Sequence, residues 1–303
     1  MKESPLVTIG LTCFNCEKTI ERALKSAIDQ DWINKEIILI DDCSTDNSKI
    51  ILSNLKSQYP QIQLIINSKN RGLAYNENTI VKKAKGDFIA FFDGDDESHI
   101  NRISKQYERF LEYKSEHLDS KIIVYSNRNV IPINNDKKKF TRFAIGRKTL
   151  EPYGKIVADY ILKVKKKSDK FCWGMFGSCT IFTKTSYIKN LNGFDEDFKR
   201  AAELDFAIRG AMKGYHFISV NESLITQHLT LGEHKTLKKD LLFRKKLVKK
   251  HKKYLRQNLL YTSSLLNFYA WYWYTKKVII IGHTFRFFSL TFSLINKFRN
   301  LTL

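Results

Sequence analysis

Residues 86–92 (Gly-Asp-Phe-Ile-Ala-Phe-Phe) run into Asp93-Gly94-Asp95-Asp96, an apolar stretch that stops at a packed acidic turn. Such a stretch, lacking polar alternation, reads as a strand covered on both faces, the pattern of a parallel sheet between helices. The turn adds a second constraint. Three carboxylates this close repel one another unless a cation sits among them. A hard divalent ion holding a diphosphate is one answer, since Mg²⁺ takes one or two carboxylates plus phosphate oxygens. A polar turn capping the next helix is the other, because Asp and Gly both suit turns.

The rest of the first hundred residues repeats the strand–helix rhythm. Val7–Leu11 reads as a buried strand, followed by a loop over 12–17 and a helix carrying Ile20, Leu24, Ala27 and Ile28 at helical spacing. Glu36–Ile40 is a second strand, ending in Asp41-Asp42-Cys43-Ser44-Thr45-Asp46; Ser44 or Thr45 is the expected cap of the helix carrying Ile50, Ile51 and Leu55. Gln63–Ile66 is a third strand and residues 79–84 a third helix, before the strand over 87–92. Alternation of this kind predicts parallel strands with right-handed crossovers. After residue 100 the rhythm changes. Helices are expected over 103–113, 156–164 and 204–212, and strands over 122–125, 179–182 and 215–220, with a Lys-rich, weakly periodic stretch over 134–170.

A chain of 303 residues makes one large domain or two modest ones, and a hydrophobic fraction of 43% belongs to a folded globule. The net charge of +21 is uneven: residues 235–303 hold sixteen Lys/Arg and one acid, Asp240, which leaves about +6 for the first 234. The expected division is a body over 1–234, in halves 1–100 and 101–234 where the rhythm changes, and a basic, aromatic helical tail over 235–303. Five cysteines in no framework point to a reducing compartment. Cys13-Phe14-Asn15-Cys16 is formally C-x-x-C, without the second ligand pair of a zinc site. Met1-Lys2-Glu3-Ser4-Pro5 leads directly into a strand, so no signal peptide is expected and the cytoplasm is the default.

Two acidic groups, Asp41/Asp42 and Asp93/Asp95/Asp96, therefore stand at the C-terminal ends of separate parallel strands, the edge where open α/β sheets bind ligands. A nucleotide diphosphate suits them. The chain has no G-x-x-x-x-G-K-[ST] and no strand-linked G-x-G-x-x-G, which disfavours a P-loop NTPase and a standard dinucleotide dehydrogenase.

Taken in order, residues 7–15 (VTIGLTCFN), 36–46 (EIILIDDCSTD), 70–74 (NRGLA) with Asn78, and 93–96 (DGDD) resemble family-2 glycosyltransferases of the GT-A fold, a Rossmann-like nucleotide-diphospho-sugar transferase sheet. The resemblance covers about residues 5–230. It implies that Thr12 and Phe14 flank the base and that Asp42 bonds it, with Asp41 adjacent. It implies further that Asp93 contacts ribose or metal, that Asp95 is the main ligand of Mg²⁺ or Mn²⁺, and that Asp96 is an auxiliary one. Asn192-Gly193-Phe194-Asp195-Glu196 and Ala202-Glu203-Leu204-Asp205-Phe206-Ala207-Ile208-Arg209 resemble the family's acceptor-side segment. There the second acid of an acidic pair is the catalytic base, which maps to Glu203, while Ala202 replaces the first acid. Simple stabilisation of a helix N-terminus by Glu203 and Asp205 is the alternative. Glu77 stands where the family often has Arg.

Trp173 and Asp205 are candidate acceptor contacts, Trp173 as a stacking wall for a sugar. His216, His228 and His234 near the end of the body read as surface or core histidines, with Gln227-His228 roughly where an extra metal contact would be sought. The resemblance implies an inverting transfer from a nucleotide sugar, UDP-linked by analogy, to a glycan or polyprenyl-linked acceptor in surface-polysaccharide synthesis. A basic binding protein that keeps the fold without catalysis is the different-class alternative. The tail, with aromatic residues over 268–274 among lysines, reads first as an anchor on an anionic membrane surface, placing the protein peripherally on the inner face of the cell membrane. A dimerising or packing helical extension comes second. No nucleic-acid partner is expected, since no reader motif accompanies the charge. His283 and Arg286 interrupt the apolar stretch over 278–295, so no clean transmembrane span is expected.

Overall fold

The computed structural model describes residues 4–133, 138–164, 168–229, 236–257 and 259–299. The first hundred residues alternate as expected: β1 (Val7–Cys13), α1 (Ile20–Ile28), β2 (Lys35–Asp41), α2 (Ser48–Gln58), β3 (Gln63–Ile66), α3 (Leu73–Lys83) and β4 (Phe88–Asp93). Then come β5 (Glu97–Ser98), α4 (Arg102–Glu116), β6 (Ile122–Ile131), β7 (Phe140–Arg142), α5 (Lys155–Ile161), β8 (Phe182–Lys184), α6 (Thr185–Lys189), α7 (Ala202–Met212) and β9 (His216–His228). The tail holds α8 (Leu237–Lys250), α9 (Lys252–Gln257), α10 (Tyr261–Thr275) and α11 (Ile279–Arg299).

One mixed sheet runs in the order β3-β2-β1-β4-β8-β6-β9-β5, with β7 on β6. Strands β1 to β4 are mutually parallel neighbours, β8 is antiparallel to both β4 and β6, and β9 runs parallel to β6. Alternate residues of each strand face opposite sides. Val7, Ile9 and Leu11 join Ile20, Leu24 and Ala27 of α1 and Ile103 and Phe110 of α4 in the main core. Each Leu or Ile buried this completely contributes roughly 1.5–3 kcal/mol. On the other face Ile80 of α3 packs over Gly10. The chain steps outward from β1 to β2 and β3, then returns to the opposite side of β1 as β4. That reversal is a topological switch point, where diverging connections leave a crevice beyond the strand ends.

Three local expectations need correction. Neither Ser44 nor Thr45 caps α2, which starts at Ser48; Asp46 does that work, its Oδ1 accepting from the Ser48 N–H at 3.0 Å. Residues 178–180 are a 3-10 turn and the strand begins at Phe182, because the Thr180 N–H turns back to the Gly177 carbonyl (3.0 Å). The tail is several helices: left-handed backbone at Leu259 (φ 54°) and Lys277 (φ 61°) stops the helical run on either side of α10.

The described residues fall into two compact units, one drawn from 1–154 and 169–230 and the other from 155–168 and 231–303. In the second unit the 155–164 segment is tied down by the tail. Tyr254 donates to Asp159 (2.7 Å), Ser264 to the Leu162 carbonyl (2.7 Å) and Asn267 to the Lys163 carbonyl (2.7 Å). Helices α10 and α11 pair through Ser263 and Ser289, and through Arg286 donating to Asn267 (2.6 Å). The outer side of α11 leaves Ile279, Ile280, Phe287 and Leu294 exposed. No helix among the described residues is long and apolar enough to cross a membrane.

Candidate active site

The sheet register puts Cys13 beside Asp41 on one side of β1 and Thr12 beside Asp93 on the other. Parallel pairing thus gathers the three strand ends without help from any loop. A cavity of about 180 Å³ opens there, lined by Thr12, Phe14, Asp42, Asn76, Asp93 and Asp95 among others. The Asp42 corner and the acidic turn share one cleft. Larger cavities of about 560 and 660 Å³ lie elsewhere on the first unit, and neither is lined by an acid from the strand ends β1 shares with β2 and β4.

Asp42 is 3% exposed, and its carboxylate is well supplied with donors: Asn67 Nδ2 (2.9 Å) and the Arg71 N–H (2.8 Å) to Oδ1, the Gly72 N–H (2.8 Å) to Oδ2. It braces the 67–72 loop at the mouth of the cleft, and Gly72 at φ +86° supplies the left-handed turn that aims its N–H inward. Asp41 does not line the cleft. It is fully buried, its Oδ2 accepts from the Ser44 N–H (3.1 Å), and its Oδ1 has no partner among the described residues. Thr12 forms part of the wall, and Phe14, 46% exposed, offers its ring at the lip.

The acidic turn is supplied quite differently. Asp93, Asp96 and Cys179 offer ligand atoms all within 4.8 Å of one another, while Asp95 lines the cleft beside them. Asp96 Oδ1 accepts from the His228 N–H (3.1 Å), and its buried Oδ2 has no partner among the described residues. Burial, reinforced by mutual repulsion, pushes Asp93 up to about 7 and Asp96 up to about 8. Two buried guanidinium groups moderate that repulsion. Arg102 donates to Gln106, Ser98 and the Phe91 carbonyl (3.0 Å each) and stays cationic near neutrality, though burial lowers it to about 10. Arg128 donates to Cys179 Sγ at 3.2 Å. The carboxylates of Asp93 and Asp96, with an orphaned Asp96 oxygen among the described residues, are hard donors that fit a divalent cation; the Cys179 sulfur is a soft donor and does not suit Mg²⁺. The ring Nε2 of His228 is also buried without a partner among the described residues, and the charges of Asp95 and Glu97 reach that ring. His234 lies outside the described residues.

Across the site, α7 begins after Ala201 (φ 65°) and carries half-buried Glu203 in its first turn. The Glu203 charge is felt by two buried groups, the Tyr125 hydroxyl and Glu77. Glu77 is 2% exposed, its Oε1 has no partner among the described residues, and burial followed by repulsion from Asp93 raises it well above the usual carboxylate range. It stands electrostatically between the donor-side Asp93 and Glu203.

One acceptor assignment changes. Asp205 is fully buried and ion-paired with Arg209 (2.8 Å), whose other nitrogens donate to the Leu191 and Gly193 carbonyls. It orients the 191–193 turn and offers no face to a substrate. Trp173 packs edge-on against Phe171 (5.9 Å), and its carbonyl accepts from Arg147 (2.9 Å). It lines none of these cavities. Sequence reasoning missed Cys179, Arg102, Arg128 and Tyr125, which no motif marks. It noticed Glu77 only as a departure from a pattern.

The strand-end cleft carries paired acids at the edge where open α/β sheets bind ligands. The family model for glycosyl transferase family 2 matches residues 8–173. The chain belongs to glycosyl transferase family 2. The Bacillus subtilis protein EpsE is 29% identical over 230 residues, which cover 74% of this chain and 73% of EpsE. WfaP of Escherichia coli, named as a UDP-Glc:alpha-D-GlcNAc-diphosphoundecaprenol beta-1,3-glucosyltransferase, is 40% identical over 101 residues, a third of this chain (33%) and 39% of WfaP. Staphylococcus aureus TarS 1–349 in complex with UDP-GlcNAc superposes with a TM-score of 0.57 at 16% identity, covering 88% of this chain and 80% of that one. The chain spans 53% of the longer TarS structure. The fold is therefore GT-A, and the chain is a glycosyltransferase by family.

Proposed function

We propose that this glycosyltransferase moves a sugar from a UDP-linked donor to a glycan or polyprenyl-linked acceptor in surface-polysaccharide synthesis, by single displacement with inversion. The observation that carries this reading is the shared cleft of Asp42, Asp93 and Asp95 at the switch point. The names of WfaP and of the TarS complex support the donor class and a lipid-diphosphate acceptor. Phe14 stacks on the base from its exposed position, and the loop braced by Asp42 closes the base side. Asp95, with Asp93 and Asp96, would hold Mg²⁺ or Mn²⁺. That ion supplies Lewis-acid stabilisation of the charge building on the departing diphosphate. Glu203 takes the proton from the acceptor hydroxyl as its oxygen attacks the anomeric carbon. The bond from that carbon to the diphosphate oxygen breaks, and UDP leaves.

Thermal-shift titration of UDP, GDP, CDP and dTDP sugars with Mn²⁺ tests the donor class, since ligand binding to the native state raises the melting temperature. A UDP sugar should give the largest shift, and Asp95→Ala or EDTA should remove both the shift and turnover. Full turnover in chelator overturns the metal role. Donor hydrolysis without acceptor separates an active transferase from a mere binder.

We propose too that the second unit lies peripherally on an anionic membrane, at the inner face of the cell membrane. The exposed apolar residues of α11 enter the interface, while lysines such as Lys276 and Lys277 meet anionic headgroups. Full-length chain should float with vesicles containing anionic lipid, and Ile280→Asp with Phe287→Asp should abolish flotation. A concentration-dependent dimer in place of vesicle binding would assign the face to a second copy.

A further inference from the structure

The transfer reaction leaves the Cys13-Phe14-Asn15-Cys16 motif without a task. Cys13 is the last residue of β1, and Cys16 lies just ahead of α1, whose first N–H bonds return to its carbonyl (Thr19 and Ile20, 2.9 Å each). Asn15 between them is left-handed (φ 53°), so the chain doubles back and sets Cys13 and Cys16 around the same point, the Gly94 position. Both cysteines are free thiols and both line the donor cleft, Cys13 nearly buried and Cys16 half-buried.

The pair is also wedged against the acidic turn. A Cβ on Gly94 would lie 3.3 Å from Cys16 Sγ and 3.3 Å from the Cys13 Cα, so only glycine leaves room there. The Gly94 N–H donates to the Thr12 carbonyl (2.8 Å), and Thr19 Oγ1 donates to the Gly94 carbonyl (2.8 Å).

We propose that Cys13 and Cys16 are a reversible disulfide site, closed by exchange with a small-molecule disulfide such as oxidised glutathione, and that closure reshapes the donor cleft and weakens nucleotide-sugar binding. In the first step one cysteine of the pair, its proton gone to water, attacks one sulfur of oxidised glutathione and expels one glutathione thiolate. In the second, the other cysteine loses its proton to water, attacks the protein sulfur of that mixed disulfide and expels the remaining glutathione thiolate. The sum converts two protein thiols and one oxidised glutathione into one protein disulfide and two reduced glutathiones.

The functional half of this inference rests on the donor-cleft reading, and the chemical half does not. The full chain is equilibrated across a series of reduced-to-oxidised glutathione ratios, its remaining thiols are alkylated, and its peptides are weighed. In parallel, UDP with Mn²⁺ is titrated calorimetrically. The expected result is a peptide bearing both cysteines, unalkylated and lighter by two hydrogens, with UDP affinity at least tenfold weaker and restored by dithiothreitol. Cys16→Ser should show no glutathione-dependent change relative to its own reduced state. Alkylation of both cysteines across the whole series overturns the proposal, as does a disulfide that leaves UDP affinity within twofold. A reduced chain that binds no UDP would instead sink the donor reading and the functional half with it, while the peptide masses still decide the chemistry.

Discussion

Asp42 and Asp96 are both buried acids at one cleft, and they are served in opposite ways. Asp42 receives three hydrogen bonds from Asn67, Arg71 and Gly72. Asp96 receives one, from the His228 N–H, and keeps an orphaned oxygen next to Asp93. The first carboxylate is structurally satisfied and fixes a loop before any ligand arrives. The second is held at a cost that a bound cation would remove. On the proposed reading, a prearranged loop serves the base side and an under-bonded acid pair serves the diphosphate side.

Substitutions can break that comparison. The largest expected effect concerns the third carboxylate, Glu203. Glu203→Gln should lower kcat by about 10²–10⁴-fold with UDP affinity unchanged, the range for loss of a general base. Steady-state kinetics paired with calorimetry reads both, and full activity would move the base elsewhere. Asp42→Ala should destabilise the fold by about 3 kcal/mol in urea denaturation, because two backbone N–H groups and an amide lose their acceptor. Asp96→Asn should leave the metal-free protein as stable or more so, while removing its stabilisation by Mn²⁺. Equal destabilisation by the two variants would erase the distinction.

The same contrast has a pH signature. Asp93 and Asp96 are raised to about 7 and about 8, above the ordinary value near 4. Between those limits the native state binds more protons than the unfolded chain, so stability falls as pH rises. The metal-free melting temperature should drop between pH 5 and about 8, and saturating Mn²⁺ should flatten the curve. A rising metal-free curve over that window would contradict the assignment. The smallest effect belongs to Asp46→Ala, which removes the acceptor at the start of α2 and should cost about 1 kcal/mol with little change in kcat.

Strands β1, β2 and β4 were legible because each is buried along most of its length, and burial writes itself as an apolar run; β3, half exposed at the edge, was legible only as a short Leu-Ile-Ile run. The sequence signal failed where pairing depends on distant partners. The polar half of β6, Ser126-Asn127-Arg128-Asn129, reads as loop, yet it pairs with β9 from Ile122 to Ile131. β9 likewise continues through Asn221-Glu222, which locally suggest a turn. In the tail, left-handed Leu259 and Lys277 stop helices with no glycine or proline to announce it.

The chain's local chemistry specified by itself the parallel strand ends, the acids placed on them and the family they suggest, since periodicity and residue type act over a few positions. Tertiary structure alone decided which acids meet. It turned Asp205 inward to Arg209, set Arg102, Arg128 and Cys179 beside Asp93 and Asp96, and buried Glu77 where the charges of both Asp93 and Glu203 reach it. The physical reason is that a carboxylate's role follows from its surrounding charges and hydrogen-bond donors, and those are brought by segments up to a hundred or more residues away.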